Sequence, residues 1–272
     1  WKDKKLEGGS LEEATTWDNQ DVLPKDFLDS LKVLEKTKPE MYKQYVLNDW
    51  EVTADQFILI KPIMIELLKG VIFYKEYMKR VITCDPATGG DECVIYALEN
   101  GKKFDENILH INDTMKIAGE MVVMAQKYKI NDFAVDSIGV GKGIVDRLIE
   151  MGKRVNAICS AEKASDPEKF SNLRAEMWWY AMEQIQNKNI DYIEDEELRK
   201  QLSSVRYKVV NSNGKIQLEP KDETKKRLGR SPDRADAFIY GLWALKTILS
   251  DSNTSYDLDF NHITAGGGRG GW

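Results

Sequence analysis

The sequence predicts an α/β domain built on a mixed β-sheet, and three observations carry that prediction. Between residues 80 and 111, short runs rich in β-branched residues are separated by the turn signals Pro86-Ala-Thr-Gly-Gly90 and Asn100-Gly101, a pattern of linked antiparallel strands. From residue 114 onward, amphipathic stretches alternate with short apolar runs, the pattern of helices crossing between strands. The chain has 272 residues, 42% apolar and 31% charged, which is enough material for a sizeable core.

Taken in order, residues 1–16 are polar and Gly-containing and read as a linker, and from the start at Trp1 rather than Met the chain is expected to be part of something longer. Across 24–50, Phe27, Leu28, Leu31, Leu34, Met41, Tyr45 and Val46 fall at helical spacing, with Pro39 separating two short helices. Residues 55–69 are apolar again, but Pro62 forbids one straight helix there. Strands are expected at 80–85, 92–98 and near 108–111. An amphipathic helix at 114–129 buries Ile117, Met121, Met124, Ala125 and Tyr128, and a strand follows at 132–136. A helix at 143–151, a strand at 155–159 and a long helix at 171–188 come next. Residues 207–218 form a β-hairpin around Asn213-Gly214. The last helix spans 232–249, with Ser231 as N-cap and Pro232 at its first position. The division is therefore a helical segment over 1–79, an α/β domain over 80–250 and a Gly-rich flexible tail over 251–272.

Composition excludes several function classes. The longest apolar run, 57–68, is interrupted by Lys61, Pro62 and Glu66 and falls short of the ~18 residues of a membrane span. Three cysteines without a CxxC pair exclude a disulfide scaffold and suit a reducing compartment. Two histidines are too few for a zinc finger or a histidine-based metal cage. The net charge of −6 argues against a wholly basic nucleic-acid binder, although the charge is unevenly placed. From Arg199 to Arg234 there are 11 Lys and Arg against four acids.

The carboxylates carry the chemistry. Asp85 ends the first strand and Asp136 the fourth, each directly after an apolar run, while Asp233 and Asp236 share one face of the last helix's first turn. Strand ends and a helix start can converge, and carboxylates brought together repel unless divalent cations neutralise them. Hard oxygen donors suit Mg²⁺ or Mn²⁺, and two such ions suit phosphoryl displacement. The alternative for Asp233 is a favourable acid in a helical first turn, and for Asp91 it is a turn cap rather than an outer support of the site. Gly139-Val-Gly-Lys-Gly143 lacks the Ser or Thr of a phosphate loop, so its glycines are assigned to the turn that aims Asp136. Trp178 and Trp179 are assigned to the core, with base stacking as the minor option.

Three segments resemble one family. Val81-Ile-Thr-Cys-Asp85-Pro-Ala-Thr-Gly-Gly-Asp91, Asp136-Ser-Ile-Gly-Val-Gly141 and Lys226-Arg-Leu-Gly-Arg-Ser-Pro-Asp233-Arg-Ala-Asp236-Ala resemble the nuclease domain of tailed-phage terminase large subunits, the DNA-packaging motors. The likeness spans residues 80–249 and continues weakly through Leu23-Pro24 and Tyr45-Val-Leu-Asn-Asp-Trp50, which looks like the segment after the family's ATPase core. The resemblance implies a ribonuclease H-like fold with an added hairpin and a small N-terminal helical lobe. It also implies a metal-dependent endonuclease that cuts concatemeric double-stranded DNA during packaging. By the same resemblance Asp85, Asp136 and Asp236 hold two divalent cations, Mg²⁺ or Mn²⁺, Asp233 is a further ligand, and Asp91 supports from outside. It further implies the ATPase domain, the small terminase subunit and the portal as partners, and the host cytoplasm as the location, with no membrane contact. ATP-binding motifs are absent, so this chain is not expected to hydrolyse ATP.

Beside such a site, the basic window reads as a clamp on the DNA backbone, formed by Arg206, Lys208, Lys215, Lys221, Lys225, Lys226, Arg227 and Arg230. Two rivals stand: a non-catalytic module that grips DNA or docks on the portal, and a resolvase-type nuclease of the same superfamily.

Overall fold

The structure, a computed structural model, describes residues 14–37, 42–43, 46–47, 57–71, 79–87, 91–210 and 214–251. The expected helix around Met41 to Tyr45 falls largely outside these residues. So do the glycines of the 86–90 turn, Asn213 of the hairpin, and the tail from 252 on.

Five strands form one sheet in the order β3-β2-β1-β4-β5. They are β1 (Arg80–Asp85), β2 (Cys93–Glu99), β3 (Lys102–Leu109), β4 (Asp132–Asp136) and β5 (Arg154–Ile158). The first three are antiparallel neighbours, whereas β4 runs parallel to β1 and β5 parallel to β4, so the sheet is mixed as the element order requires. Asn100 and Gly101, both at positive φ, close the β2–β3 hairpin as a two-residue turn. β3 therefore begins at Lys102, earlier than the strand expected near 108–111. Its first residues are polar and lie at a sheet edge, so they carry no apolar signal.

Two helices, α3 (Thr114–Tyr128) and α4 (Gly141–Glu150), cover one face of the sheet; α5 (Leu173–Gln186) and the last helix, α8 (Asp233–Asp251), pack on the other. The intervening segment holds α6 (Glu196–Leu202), a two-stranded hairpin of β6 (Tyr207–Val209) and β7 (Ile216–Leu218), and α7 (Lys221–Leu228). Neither α6 nor α7 is expected from periodicity. Both are short and charge-dense, and in α7 Thr224 alone is buried. Upstream lie a 3₁₀ turn at Thr16–Val22, α1 (Lys25–Thr37) and α2 (Pro62–Glu66), the last starting at Pro62, where proline is tolerated.

Leu31, Tyr42 and Val46 form a small cluster of their own. Leu59, Ile60, Ile65 and Leu68, by contrast, join the same core as α5 and α8. Ile58 bridges to Arg206, and the Leu59 amide donates to the Val205 carbonyl. Among the described residues, no helix is long and apolar enough to cross a membrane.

α8 lies unusually close to the sheet. A β-carbon at Gly241 would stand 2.1 Å from Leu98 Cδ1, so that position admits only glycine without displacement. The buried Thr83 hydroxyl of β1 donates to the Ala237 carbonyl at 2.8 Å, tying the central strand to this helix. α8 starts at Asp233, one residue later than expected: the Asp236 amide donates to the Pro232 carbonyl, so proline occupies the cap rather than the first helical position.

Candidate active site

Strand parity aims the strand-end carboxylates. In β1, Val81 belongs to the core under α8 and Thr83 bonds to α8, while Ile82 and Cys84 belong to the core under α3 and α4. The two-residue period puts Asp85 on the α8 side. Ala134 of β4 belongs to the α8 core, so Asp136, two residues on, takes the same side. Cys84 pairs with Val135, which places the two aspartates one step beyond, at adjacent ends of parallel strands. The chain then turns into α4 so tightly that a β-carbon at Gly141 would overlap the Asp136 carbonyl oxygen.

Asp85, Asp233 and Asp236 converge on one ammonium. Lys221 Nζ, at the start of α7, lies 3.5 Å from Asp85 Oδ2, 3.2 Å from Asp233 Oδ1 and 3.1 Å from Asp236 Oδ2. The three carboxylates are buried, whereas the lysine side chain as a whole is 41% exposed. Asp236 Oδ1 accepts from the Trp178 indole at 3.0 Å and lies 3.6 Å from Arg174 Nη2. Asp136 stands at the same end, its Oδ1 accepting from the Ile138 amide and its Oδ2 from the Tyr240 hydroxyl, both at 2.9 Å. The Glu92 amide donates to Asp233 at 3.3 Å.

Charge crowding shows in the protonation equilibria. Burial pushes the Asp85 carboxyl well above the usual range; Lys221 opposes this, while Asp236, Asp233 and Asp136 add to it. Burial likewise raises Asp136 against the pull of the Ile138 amide and Tyr240, and raises Asp233 against Lys221 and Ser231. Asp236 is lowered: burial acts upward but is outweighed by Lys221, Arg174 and the Trp178 bond. Burial acts to lower the Lys221 ammonium, yet the three carboxylates overcome it and hold it charged.

The donors fit a hard divalent cation. Asp85 Oδ2 and Asp236 Oδ2 are buried and accept no hydrogen bond of good geometry; the charge that answers them is the Lys221 ammonium, at 3.5 and 3.1 Å. Among the described residues, no set of three acidic, histidine or cysteine side chains already closes into a metal cage. Lys221 Nζ occupies the space between the three carboxylates.

Of the residues selected from sequence, Asp85, Asp136, Asp233 and Asp236 meet here, and Lys221 joins them rather than the outer basic surface. Asp91 lies outside the cluster, paired with Lys225 at 2.7 Å. Most of the remaining basic residues are also engaged: Lys226 with Glu223 at 2.9 Å, Arg227 with Glu219, and Arg230 with Glu92 and Glu197. Lys208 is exposed on β6, and Arg206 Nε is buried without a hydrogen-bond partner. Trp178 is fully buried as assigned, but also grips a site carboxylate; Trp179 bonds to Glu183. Tyr240 and Arg174 were not selected from sequence. Tyr240 was legible, because Asp233, Asp236 and Tyr240 fall at i, i+3 and i+7 on one helical face.

No family model and no curated protein matches the chain. Solved structures do. The nuclease domain of the large terminase subunit gp2 of bacterial virus Sf6 superposes with a TM-score of 0.56 at 21% identity, covering 68% of this chain and 97% of that one. A lysine-to-alanine variant of the Sf6 domain with manganese matches at a TM-score of 0.57 and 20% identity, covering 68% and 98%. The same variant with manganese and β-thujaplicinol matches at 0.58 and 21%, covering 68% and 97%. The chain has the fold of a phage terminase nuclease domain. That fold is ribonuclease H-like, in keeping with the mixed five-stranded sheet flanked by helices.

Proposed function

We propose that the chain is the metal-dependent DNA endonuclease domain of a phage terminase large subunit, cutting concatemeric double-stranded DNA during genome packaging. The observation that carries this reading is the meeting of the buried carboxylates Asp85, Asp233 and Asp236 on one ammonium, beside Asp136, in a terminase-type nuclease fold. Asp85, Asp136 and Asp236 would hold two divalent ions, Mg²⁺ or Mn²⁺, with Asp233 as a further donor; manganese accompanies the Sf6 domain. Such ions activate water and stabilise the charge of a scissile phosphate and its leaving oxygen.

The chain's own groups do the remaining work. Lys221, Arg174 and Trp178 keep Asp236 ionised, and Tyr240 with the Ile138 amide fixes the Asp136 carboxylate. Lys221 is the resident cation of the metal-free site, and its flexible stem lets the ammonium withdraw toward solvent or a DNA phosphate. Lys225, Lys226, Arg227, Arg230, Lys208, Lys215 and Arg206 line the approach as backbone contacts. The surface ion pairs of Lys225, Lys226, Arg227 and Arg230 are weak enough to be exchanged for phosphates. The ATPase domain, small subunit and portal are the partners this reading assigns.

Plasmid cleavage tests it. The chain should nick supercoiled DNA with Mn²⁺ or Mg²⁺ and not with EDTA, and Asp85→Asn should reduce cleavage by at least about 100-fold. Full cleavage by Asp85→Asn would reject the mechanism. Binding without cleavage under any metal would assign a DNA-gripping module instead.

A further inference from the structure

We propose that Gln201 is a positioning residue for the carboxylate site, acting as a remote N-cap of α8; the inference rests on the nuclease reading for its consequence but not for its geometry. The first turn of a helix leaves backbone N–H groups without intrahelical partners. At α8 the cap position is Pro232, which has no side-chain oxygen to offer them. Gln201, on α6 and fully buried, supplies the missing acceptor: its Oε1 accepts from the Arg234 amide at 2.9 Å and the Ala235 amide at 3.2 Å.

These two amides lie between Asp233 and Asp236 in the chain, so the bond fixes the backbone from which both site carboxylates project. The orientation of the glutamine amide is itself set, because its Nε2 donates to Glu197 Oε1 at 3.1 Å one turn earlier on α6. Glu197 also lies 3.4 Å from Arg230, and Arg230 and Arg234 both pair with Glu92, whose amide donates to Asp233. A buried polar side chain that cannot reach the substrate is thus coupled to the site through the backbone.

The expected consequence is a loss of alignment rather than of fold. In the metal-free protein the readout is the indole Nε1–H resonance of Trp178, assigned by Trp178→Phe, because that proton reports the position of Asp236. Gln201→Ala and Gln201→Leu should move this resonance and weaken Mn²⁺ binding, followed by titration calorimetry, roughly 10–100-fold. The double variant Glu197→Gln/Gln201→Glu keeps an acceptor toward α8 and a donor between the two side chains, and should restore both.

A lowered melting temperature with an unmoved indole resonance would make Gln201 merely structural and overturn the proposal. In the parent chain, hydrogen exchange at the Arg234 and Ala235 amides should be as slow as in the α8 interior; rapid exchange there would also overturn it, even if the single variants do not fold. A parent chain that binds no Mn²⁺ would reject the nuclease reading, and the metal-free indole and exchange readouts would still decide Gln201.

Discussion

A single ammonium among three buried carboxylates makes the charge state of this site depend on one side chain. Removing one partner of such a group leaves uncompensated charge in a poorly solvated place, which costs more than a surface pair returns. Lys221→Ala should therefore lower the melting temperature in EDTA at pH 7. The loss should shrink at pH 5, where the raised Asp85 and Asp233 carboxyls take up protons more readily, and Mn²⁺ should recover it. Equal losses at both pH values without recovery by Mn²⁺ would show that Lys221 has no such role. Sequence could not place this lysine. It is one of six basic residues from Lys215 to Arg230, and only the turn into α7 separates it from neighbours that face solvent.

α8 is the element that assembles the site, since it supplies Asp233, Asp236 and Tyr240 and packs directly on β1. Its seating depends on Gly241, where an added methyl would meet Leu98 Cδ1 at 2.1 Å and Thr83 Cγ2 at 3.2 Å. Gly241→Ala should cost about 1–3 kcal/mol in chemical denaturation, as overpacking does, because the helix must lift from the sheet. It should also reduce cleavage, because the lift carries the two aspartates away from Asp85. An unchanged stability would mean that Leu98 gives way freely. The acidic stripe of α8 was legible as a helical spacing, and the strand-end aspartates were legible as parity breaks after apolar runs. α6 and α7 were not legible, because short charged helices owe their form to caps and tertiary contacts rather than to an apolar period.

At the scale of the whole molecule, two sets of carboxylates pull stability in opposite directions with pH. Burial acts to raise Glu92, Glu219 and Asp195, yet each is lowered on balance, by Arg234 and Arg230, by Arg227 and Thr224, and by Lys103 and the Leu198 amide. Their stabilisation is complete above the ordinary values of 4.5 for glutamate and 3.8 for aspartate, and is lost as pH falls through the folded values beneath them. Asp85, Asp136 and Asp233 are raised, so their contribution is lost as pH rises through their folded values. Metal-free protein should accordingly be most stable on the mildly acidic side of neutral, and Mn²⁺ should shift the optimum upward. Denaturation across pH with EDTA or Mn²⁺ checks this, and a metal-independent optimum would contradict it. The DNA surface also belongs to this scale. Lys225→Ala/Lys226→Ala should flatten the salt dependence of DNA binding by roughly 2 in log–log slope, and an unchanged slope would put the backbone contacts elsewhere.

The sequence by itself determined the succession of the five sheet strands along the chain, the two-residue hairpin turn at Asn100-Gly101 and the four aspartates, because these follow from local periodicity and from acids placed where apolar patterns end. The tertiary structure alone decided which basic residue enters the site, which buried groups hold each carboxylate, and that 57–71 belongs to the central core. Those outcomes depend on groups far apart in the chain: Lys221 reaches Asp85 and Trp178 reaches Asp236 only once α5, α7 and α8 have packed against the sheet. Pairing across such separations is set by packing and charge in three dimensions, to which local sequence pattern is blind.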